Sequence, residues 1–474
     1  MSTPAAFVYV DTDGQPRLAG QLFVTAHRGR ETATFLYDTR WINSADSFAL
    51  EPALAVSPAP YHAGEGRRMF GALGDSSPDR WGQTLLRRAE RRLAKTEARA
   101  PRALREVDFL LGVTDSVRQG ALRLATTEGG PFVAPERPAG VPPIIELPKL
   151  LSATERFLAN EESADDLRLL LAPGSSLGGA RPKASVRDAN GAMLIAKFPK
   201  RQDDDYRVVA WEAVALELAR MAGLRVAESR LDTIAGRDVL LVTRFDRHVT
   251  VGGVRRIPYL SALSMLGATD GERRSYPEIA DVLRAHGSDT VADLAELWRR
   301  IVFSVLISNT DDHLRNHGFL HVGASGWRLS PVFDVNPVPT DIRDRMLSTS
   351  IGVDGDPTAS MEIAFEVAPV FGLKPAAARS IAAEVGAAVA QWRSVAERFG
   401  LDVAELERMS SAFEHGELAL AMKGVNHVGP PNANPFTAFA GALGTFPDGP
   451  PPINAWIREL RDDDGAAPSP QEDP

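Results

Sequence analysis

"SNTDDHLRNHGF" (residues 308–319) sits between two apolar runs, "LWRRIVFSVLI" (297–307) and "GFLHV" (318–322). Both flanks read as buried. The twelve residues between them nevertheless hold two adjacent aspartates, two asparagines, two histidines and an arginine. A connecting turn needs no such set, whereas a loop that carries chemistry does. Asp311 lies five residues before Asn316, an interval over which one tight loop can aim both side chains into one cleft. The competing reading is a polar turn with a helix cap at Thr310 or Asp311.

The rest of the chain bounds what that loop belongs to. At 474 residues the chain is too long for one ordinary core, so two or three domains or lobes are expected. Hydrophobic residues at 44% and charged residues at 24% are those of a globular protein. The absence of cysteine excludes disulfides, thiolate nucleophiles and cysteine-ligated metal clusters. It fits a reducing, cytoplasmic setting. The N-terminal "MSTPAAFVYVDTDGQPR" lacks the pattern of a signal peptide, and no window approaches the roughly 20 apolar residues of a spanning helix, so no membrane is expected. Of the net charge of −9, the last fourteen residues, "RDDDGAAPSPQEDP", supply −4. The mild acidity of the remainder argues against broad, charge-driven nucleic-acid binding by the chain alone, while leaving room for a local basic patch.

The organisation is β-rich first and α-rich second. "AFVYV", "AGQLFVTA" and "TATFLYD" read as strands, and "DRWGQTLLRRAERRLAKTEAR" as a helix that Asp79 could cap. The Pro/Gly-rich "GGPFVAPERPAGVPP" marks a linker, followed by a helical stretch, "LPKLLSATERFLANEESADDLRLLL". "KASVRD", "AMLIAKFP" and "RDVLLVTRFD" read as strands around one helix, "YRVVAWEAVALELARMAGL". From about residue 255 helices dominate, with "KPAAARSIAAEVGAAVAQWRSVAERFG" a helix pair. The expectation is an α+β fold of two lobes, a mixed α/β N-terminal one and a mostly helical C-terminal one, with a cleft between. The boundaries read as 1–128, a linker at 129–145, 146–250, 251–430 and a Pro/Gly-rich, acidic tail at 431–474 whose end is disordered.

The Asp311 to Asn316 interval is also that of the protein-kinase catalytic loop, where the aspartate accepts the proton of the attacking hydroxyl and the asparagine binds a metal ion. Asp334, in "LSPVFDVNP", follows eighteen residues after Asn316, with "GFLHV" and "GWRLSPVF" as two short strands between them. A carboxylate and an amide suit Mg²⁺. "GSSLGGARPK" (174–183) is not a P-loop, because Ala180 stands where the lysine is required, yet its small residues let backbone N–H groups approach phosphate. Lys197 lies in a β-like run, where a nucleotide kinase needs a lysine for the α- and β-phosphates, and Glu212 is the candidate to orient it. Each signal alone has an ordinary alternative: a connector loop, an edge lysine, a solvated helix face, a strand-ending turn. Their order along the chain is that of a kinase fold. His313 and His317 stand four apart and could share a helix face, but no zinc-protease motif includes them, and His313 reads as orienting the loop or the nucleotide.

"SSLGGARPKASV", "LIAKFP", "TRFDR", "NTDDHLRNHGF" and "LSPVFDV" resemble the HipA toxins, serine/threonine kinases of bacterial type II toxin–antitoxin modules. "FGALGDSSPDRWGQTLL" and "GVTDSVRQGALRL" are similar to that family's N-terminal subdomain, so the resemblance spans roughly residues 5–400. It implies Asp311 as catalytic base and Asn316 and Asp334 as Mg²⁺ ligands. It implies ATP contacts at Lys197, a phosphate loop of Gly178, Gly179, Ala180, Arg181, Pro182 and Lys183, and a hinge beside adenine at Thr243, Arg244 and Phe245. Ser176 matches the family's autophosphorylated serine, whose modification ejects the loop. Arg181-Pro182 depart from the family's usual residues, and Pro182 removes one N–H donor. The implied partners are a helix-turn-helix antitoxin of the HipB type, operator DNA reached through it, and a protein substrate such as an aminoacyl-tRNA synthetase. Two alternatives stand beside this one: a kinase of a small molecule, and a chain that works mainly as a DNA-bound co-repressor with its antitoxin.

Overall fold

β-branched and aromatic residues near the N-terminus pair into an antiparallel sheet of β1 (Ala6–Val10), β2 (Arg17–His27), β3 (Arg30–Tyr37), β4 (Tyr61–His62) and β5 (Leu122–Ala125), in the order β4-β3-β2-β1-β5. The structure is a computed structural model that describes the chain apart from residues 1–2, 28–29, 65, 134–139, 172–180, 201–204, 251–252 and 424–474. A second antiparallel sheet holds β6 (Lys183–Arg187), β7 (Met193–Lys197), β8 (Ser229–Ile234) and β9 (Arg237–Thr243), ordered β6-β7-β9-β8.

Strand β9 carries an unbroken Val-Leu-Leu-Val run because both of its faces are covered. Leu240 and Val242 join the main core with the helix Val208–Met221. Val239 and Leu241 face the other way, into a core built with the helices Arg80–Thr96, Leu147–Leu158 and Ala164–Leu171. Burying each such side chain contributes about 1.5–3 kcal/mol. Eleven of the fourteen residues of Val208–Met221 are buried, and Glu212 is the one charged residue among them.

Asp79 caps Arg80–Thr96 as expected, its Oδ1 accepting from the Gly82 N–H at 2.7 Å. The helical stretch expected over 147–171 is two helices. The first ends at Asn160, which adopts a left-handed φ of 60°, and the Ser163 hydroxyl accepts from the Asp166 N–H at the start of the second.

A hairpin of β10 (Arg247–Thr250) and β11 (Gly253–Arg256) leads into the helical region. There a three-stranded sheet, β12 (Tyr259–Ser261), β13 (Gly318–His321) and β14 (Trp327–Leu329), interrupts the helices, and its last two strands are the pair expected after the polar loop. Gly318 has no tolerable substitute: a Cβ there would stand 2.5 Å from the Tyr259 ring. The helices Tyr276–His286 and Thr290–Leu306 precede the loop, and the Ala-rich stretch forms the expected pair, Pro375–Val389 and Trp392–Arg398. One continuous apolar core joins residues from Ala6 to Ala421. Among the described residues, no helix is long and apolar enough to cross a membrane.

Candidate active site

Three elements deliver charge to one place. β7 ends in Lys197, the buried helix Val208–Met221 supplies Glu212, and the chain after β14 supplies Asp334. The Lys197 Nζ donates to Glu212 Oε1 at 2.5 Å and to Asp334 Oδ1 at 2.7 Å. In the β6–β7 register Lys183 stands directly opposite Lys197. Its Nζ lies 3.1 Å from Asp79 Oδ2, so two neighbouring ammonium groups face three carboxylates.

Burial acts against every one of these charges, and the outcome depends on the neighbours. It pushes the Asp334 carboxyl up, but Lys197 and Lys183 overcome it and hold that carboxyl well below the usual range. It pushes the Lys197 ammonium down, and Asp334 and Glu212 more than offset that, so Lys197 stays charged. For Glu212 and Asp79 burial wins over the lysines, and both carboxyls are raised. Asp334 also holds a left-handed φ of 55°, a conformation that costs a non-glycine residue on the order of 1 kcal/mol and is found at functional sites.

The polar loop 308–317 contains a short 3₁₀ turn, Leu314–Asn316, preceded by His313. Its two aspartates point opposite ways. The Asp311 side chain is 61% exposed and lies 3.6 Å from Arg343 Nη1. Asp312 is buried: its Oδ2 accepts from the Tyr276 hydroxyl at 2.6 Å and its Oδ1 from the Ser348 N–H at 2.8 Å. Burial lifts the Asp312 carboxyl to about 7, a value that would suit a general base. Its oxygens are already engaged away from solvent, so it can reach no substrate, and Asp311 is the aspartate that can.

Asn316 ties the site together. Its Nδ2 donates to the Asp311 carbonyl at 2.9 Å and lies 3.5 Å from the Asp334 carbonyl. His313 and His317 do not share a helix face, because the turn is a single 3₁₀ stretch and His317 is extended at φ −110°, ψ 110°. His317 is buried edge-on to Tyr276, and burial pushes its imidazole down to about 3, so it is neutral. The His313 Nδ1 is buried without a hydrogen-bond partner among the described residues. Arg315 leaves the loop the other way, with Nε 3.0 Å from Asp270 Oδ1 and Nη1 3.5 Å from Asp75 Oδ1.

Thr243, Arg244 and Phe245, the residues expected as a hinge, lie at the end of β9. Thr243 ends β9, and Phe245 packs against Tyr259 and Phe333, the residue before Asp334. The Arg244 guanidinium is turned away from the cleft, paired with Asp246 and donating to the Val117 carbonyl at 2.8 Å. Only the backbone of Arg244 is left to line a nucleotide, and its N–H is spent on the Met193 carbonyl. Ser176, Gly178, Gly179 and Ala180 lie outside the described residues. Pro182 leads into β6, its carbonyl accepting from the Phe198 N–H.

Among the described residues no three His, Asp or Glu side chains gather as a metal cage. Asp334 and Asn316 nevertheless fit Mg²⁺ of the kinase type, which takes one or two protein oxygens and keeps waters and phosphate oxygens for the rest. Sequence reasoning missed Asp79 as the partner of Lys183, the Tyr276 and Ser348 grip on Asp312, and Arg343 beside Asp311. The Asp79 cap was visible; the other contacts join residues with no local signal.

Residues 175–392 match the family model described as HipA-like C-terminal domain. A protein of Haemophilus influenzae named "Putative kinase" is 26% identical over 199 residues, which cover 37% of this chain and 57% of that protein. A Sinorhizobium fredii protein named "Putative kinase Y4mE" is 25% identical over 328 residues, 64% of this chain and 71% of its own. The match therefore spans little more than half of the Haemophilus relative. Among solved structures, a chain from the Shewanella oneidensis MR-1 toxin–antitoxin complex of HipA, HipB and operator DNA superimposes with a TM-score of 0.61 at 17% identity, over 88% of this chain and 96% of that one. That likeness is one of fold, and the fold is the kinase-like α+β arrangement of a mixed and a helical lobe.

Proposed function

We propose that this chain, whose residues 175–392 match the HipA-like C-terminal domain, is an ATP- and Mg²⁺-dependent serine/threonine protein kinase, the toxin of a toxin–antitoxin module. The observation that carries the reading is the meeting of Lys197, Glu212 and Asp334 within 2.5–2.7 Å, beside a loop in which Asn316 fixes the backbone of Asp311. A strand lysine, a helix glutamate, a metal aspartate and a catalytic-loop asparagine in one cleft are what phosphoryl transfer asks of a protein, since its work is positioning and charge stabilisation.

In this reading Lys197 holds the α- and β-phosphates while Glu212 keeps its ammonium aimed. Asp334 and Asn316 would hold Mg²⁺, which when bound neutralises charge on the phosphate oxygens. Asp311, the exposed aspartate, orients the substrate hydroxyl and takes its proton, and Arg343 gives way as the substrate arrives. The protein substrate belongs to translation, an aminoacyl-tRNA synthetase being the type expected, and the partners are a HipB-type antitoxin and its operator DNA. Ser176 is the autophosphorylation site that switches the enzyme off by bringing about −1.5 to −2 charges against the nucleotide's own phosphates.

The test is incubation with labelled ATP and cell extract, alongside the Asp311→Asn protein. Labelled proteins should appear with the wild type and be absent with the variant, and the wild type alone should carry phosphate in the peptide containing Ser176. Equal labelling by both proteins would reject the site. Labelling of extract proteins without Ser176 would reject only the autoregulation.

A further inference from the structure

Residues 80–105 carry nine arginines and lysines against two glutamates, a net +7 in a chain whose total is −9. Most of these cations lie on the helix Arg80–Thr96, which is anchored on one side. Its Trp81 is buried against Phe157, and the Trp81 Nε1 donates to the Lys183 carbonyl at 3.0 Å. At 3.6 residues per turn Arg87, Arg91 and Lys95 form one stripe about 12 Å long, with Arg80 in line at the helix start. All four are exposed.

Neighbouring cations are already neutralised: Arg88 by Glu162, Arg99 by Glu90 and Arg102 by Asp108. Among the described residues Arg87, Arg91 and Lys95 have no carboxylate partner. Arg87 is held at Gln83 and over the Phe109 ring, which fixes its stem without cancelling its charge. A row of unneutralised cations about 6 Å apart along one helix face presents a linear positive surface to a polyanion. Single-stranded nucleic acid would call for exposed aromatic platforms, and the one aromatic residue of this segment, Trp81, is buried.

We propose that this helix lays its basic stripe along the phosphate backbone of duplex DNA, as a sequence-independent contact made by the chain itself. In naming DNA the proposal rests on the antitoxin-and-operator reading above. Base contacts are left to the partner, because arginines and lysines on a convex helix face meet phosphates first and carry no sequence information there.

The experiment is a salt titration of the full chain against a fluorescein-labelled 30-base-pair duplex of arbitrary sequence. The wild type should bind with log K falling as log salt rises. The Arg87→Gln/Arg91→Gln/Lys95→Gln variant should lose at least roughly tenfold in affinity at 0.1 M salt and about 2.7 from the magnitude of the slope, close to 0.9 per lost phosphate contact. Its phosphoryl-transfer rate should match the wild type. No duplex binding by the chain, or an unchanged slope in the variant, overturns the proposal. Tighter and equally stripe-dependent binding of a structured RNA hairpin overturns the choice of DNA. A parallel titration with a HipB-type antitoxin and its operator separates the premises. If the complex forms and the variant keeps the wild-type slope, the stripe fails alone. If no complex forms, the toxin–antitoxin reading fails, while the arbitrary duplex still decides the stripe.

Discussion

Asp311 and Asp312 are neighbours with opposite fates, and the difference yields two predictions. Asp311→Asn should lower phosphoryl transfer by on the order of 10²–10⁴-fold and leave nucleotide affinity nearly intact, because the group faces solvent and its contact with Arg343, at 3.6 Å between exposed side chains, contributes little. Asp312→Asn should instead change stability, since it alters a buried group held by Tyr276, Ser348 and Thr349. Rate assays with calorimetric melting separate the two, and an inactive Asp312→Asn beside an active Asp311→Asn would reverse the assignment. The pH dependence follows from burial. The folded Asp312 carboxyl titrates near 7, above its ordinary 3.8, so folding binds a proton between those values. Its contribution is fully present below about pH 4 and is lost as the pH rises through 7. Asp312→Asn should flatten that part of the stability profile, and an unchanged slope in urea melts between pH 4 and 8 would contradict it. The spacing of Asp311, Asn316 and Asp334 was legible in the sequence because a loop and two short strands fix it locally. Which of two adjacent aspartates faces out was not, since that depends on Tyr276 and Ser348, each 36 positions away from Asp312.

Strands and helices decide how the cleft holds its charge. β7 and the helix Val208–Met221 were both readable from their apolar content, and Glu212 was singled out as the candidate to orient Lys197. The pairing of Lys183 with Asp79 was hidden, because the residues lie about a hundred positions apart and meet only after the helix Arg80–Thr96 docks on the second sheet. The Lys197–Glu212 contact has a structural role and, in the proposed function, a chemical one, and substitution can tell them apart. Lys197→Met should cost about 3–5 kcal/mol of stability by leaving a buried carboxylate uncompensated, and should abolish nucleotide binding. Adding Glu212→Gln should restore much of the stability and none of the binding. Recovery of ATP affinity in the double variant, measured by titration calorimetry, would remove Lys197 from the nucleotide site. In the same assay Asp334→Asn and Asn316→Ala should each weaken Mg²⁺-ATP binding, and unchanged affinity in both would remove the metal assignment.

Across the whole molecule, the first 125 residues are wired to the cleft rather than appended to it. Arg244, Arg247 and Arg256 are buried, and they donate to the carbonyls of Val117, Gly120 and Asp115 at 2.8–3.0 Å. Asp246 accepts from the Gly120 N–H at 2.8 Å, and Arg244 and Arg247 hold its carboxyl well below the usual range against the push of burial. Asp75 also accepts from the Ser261 N–H at 2.7 Å and reaches Arg315 in the loop that holds Asp311 and Asn316. The Pro/Gly-rich stretch at 129–143 reads in sequence as a place where the chain could be cut, because composition reports local stiffness and says nothing of contacts made elsewhere. Removing residues 1–128 would strip the carbonyl acceptors from three buried guanidinium groups, each loss costing on the order of 1–3 kcal/mol, which together approach the 5–15 kcal/mol that holds a typical protein folded. The truncated chain is therefore expected to be insoluble or to melt without a cooperative transition. A soluble 129–474 fragment with a sharp melting curve and wild-type affinity for ATP would show that the hinge needs no support from the N-terminal sheet. Asp246→Asn is the gentler form of the same test. It should lower the melting temperature and raise the Km for ATP with little change in kcat, because the group acts on Thr243 to Phe245 from behind and touches nothing that reacts.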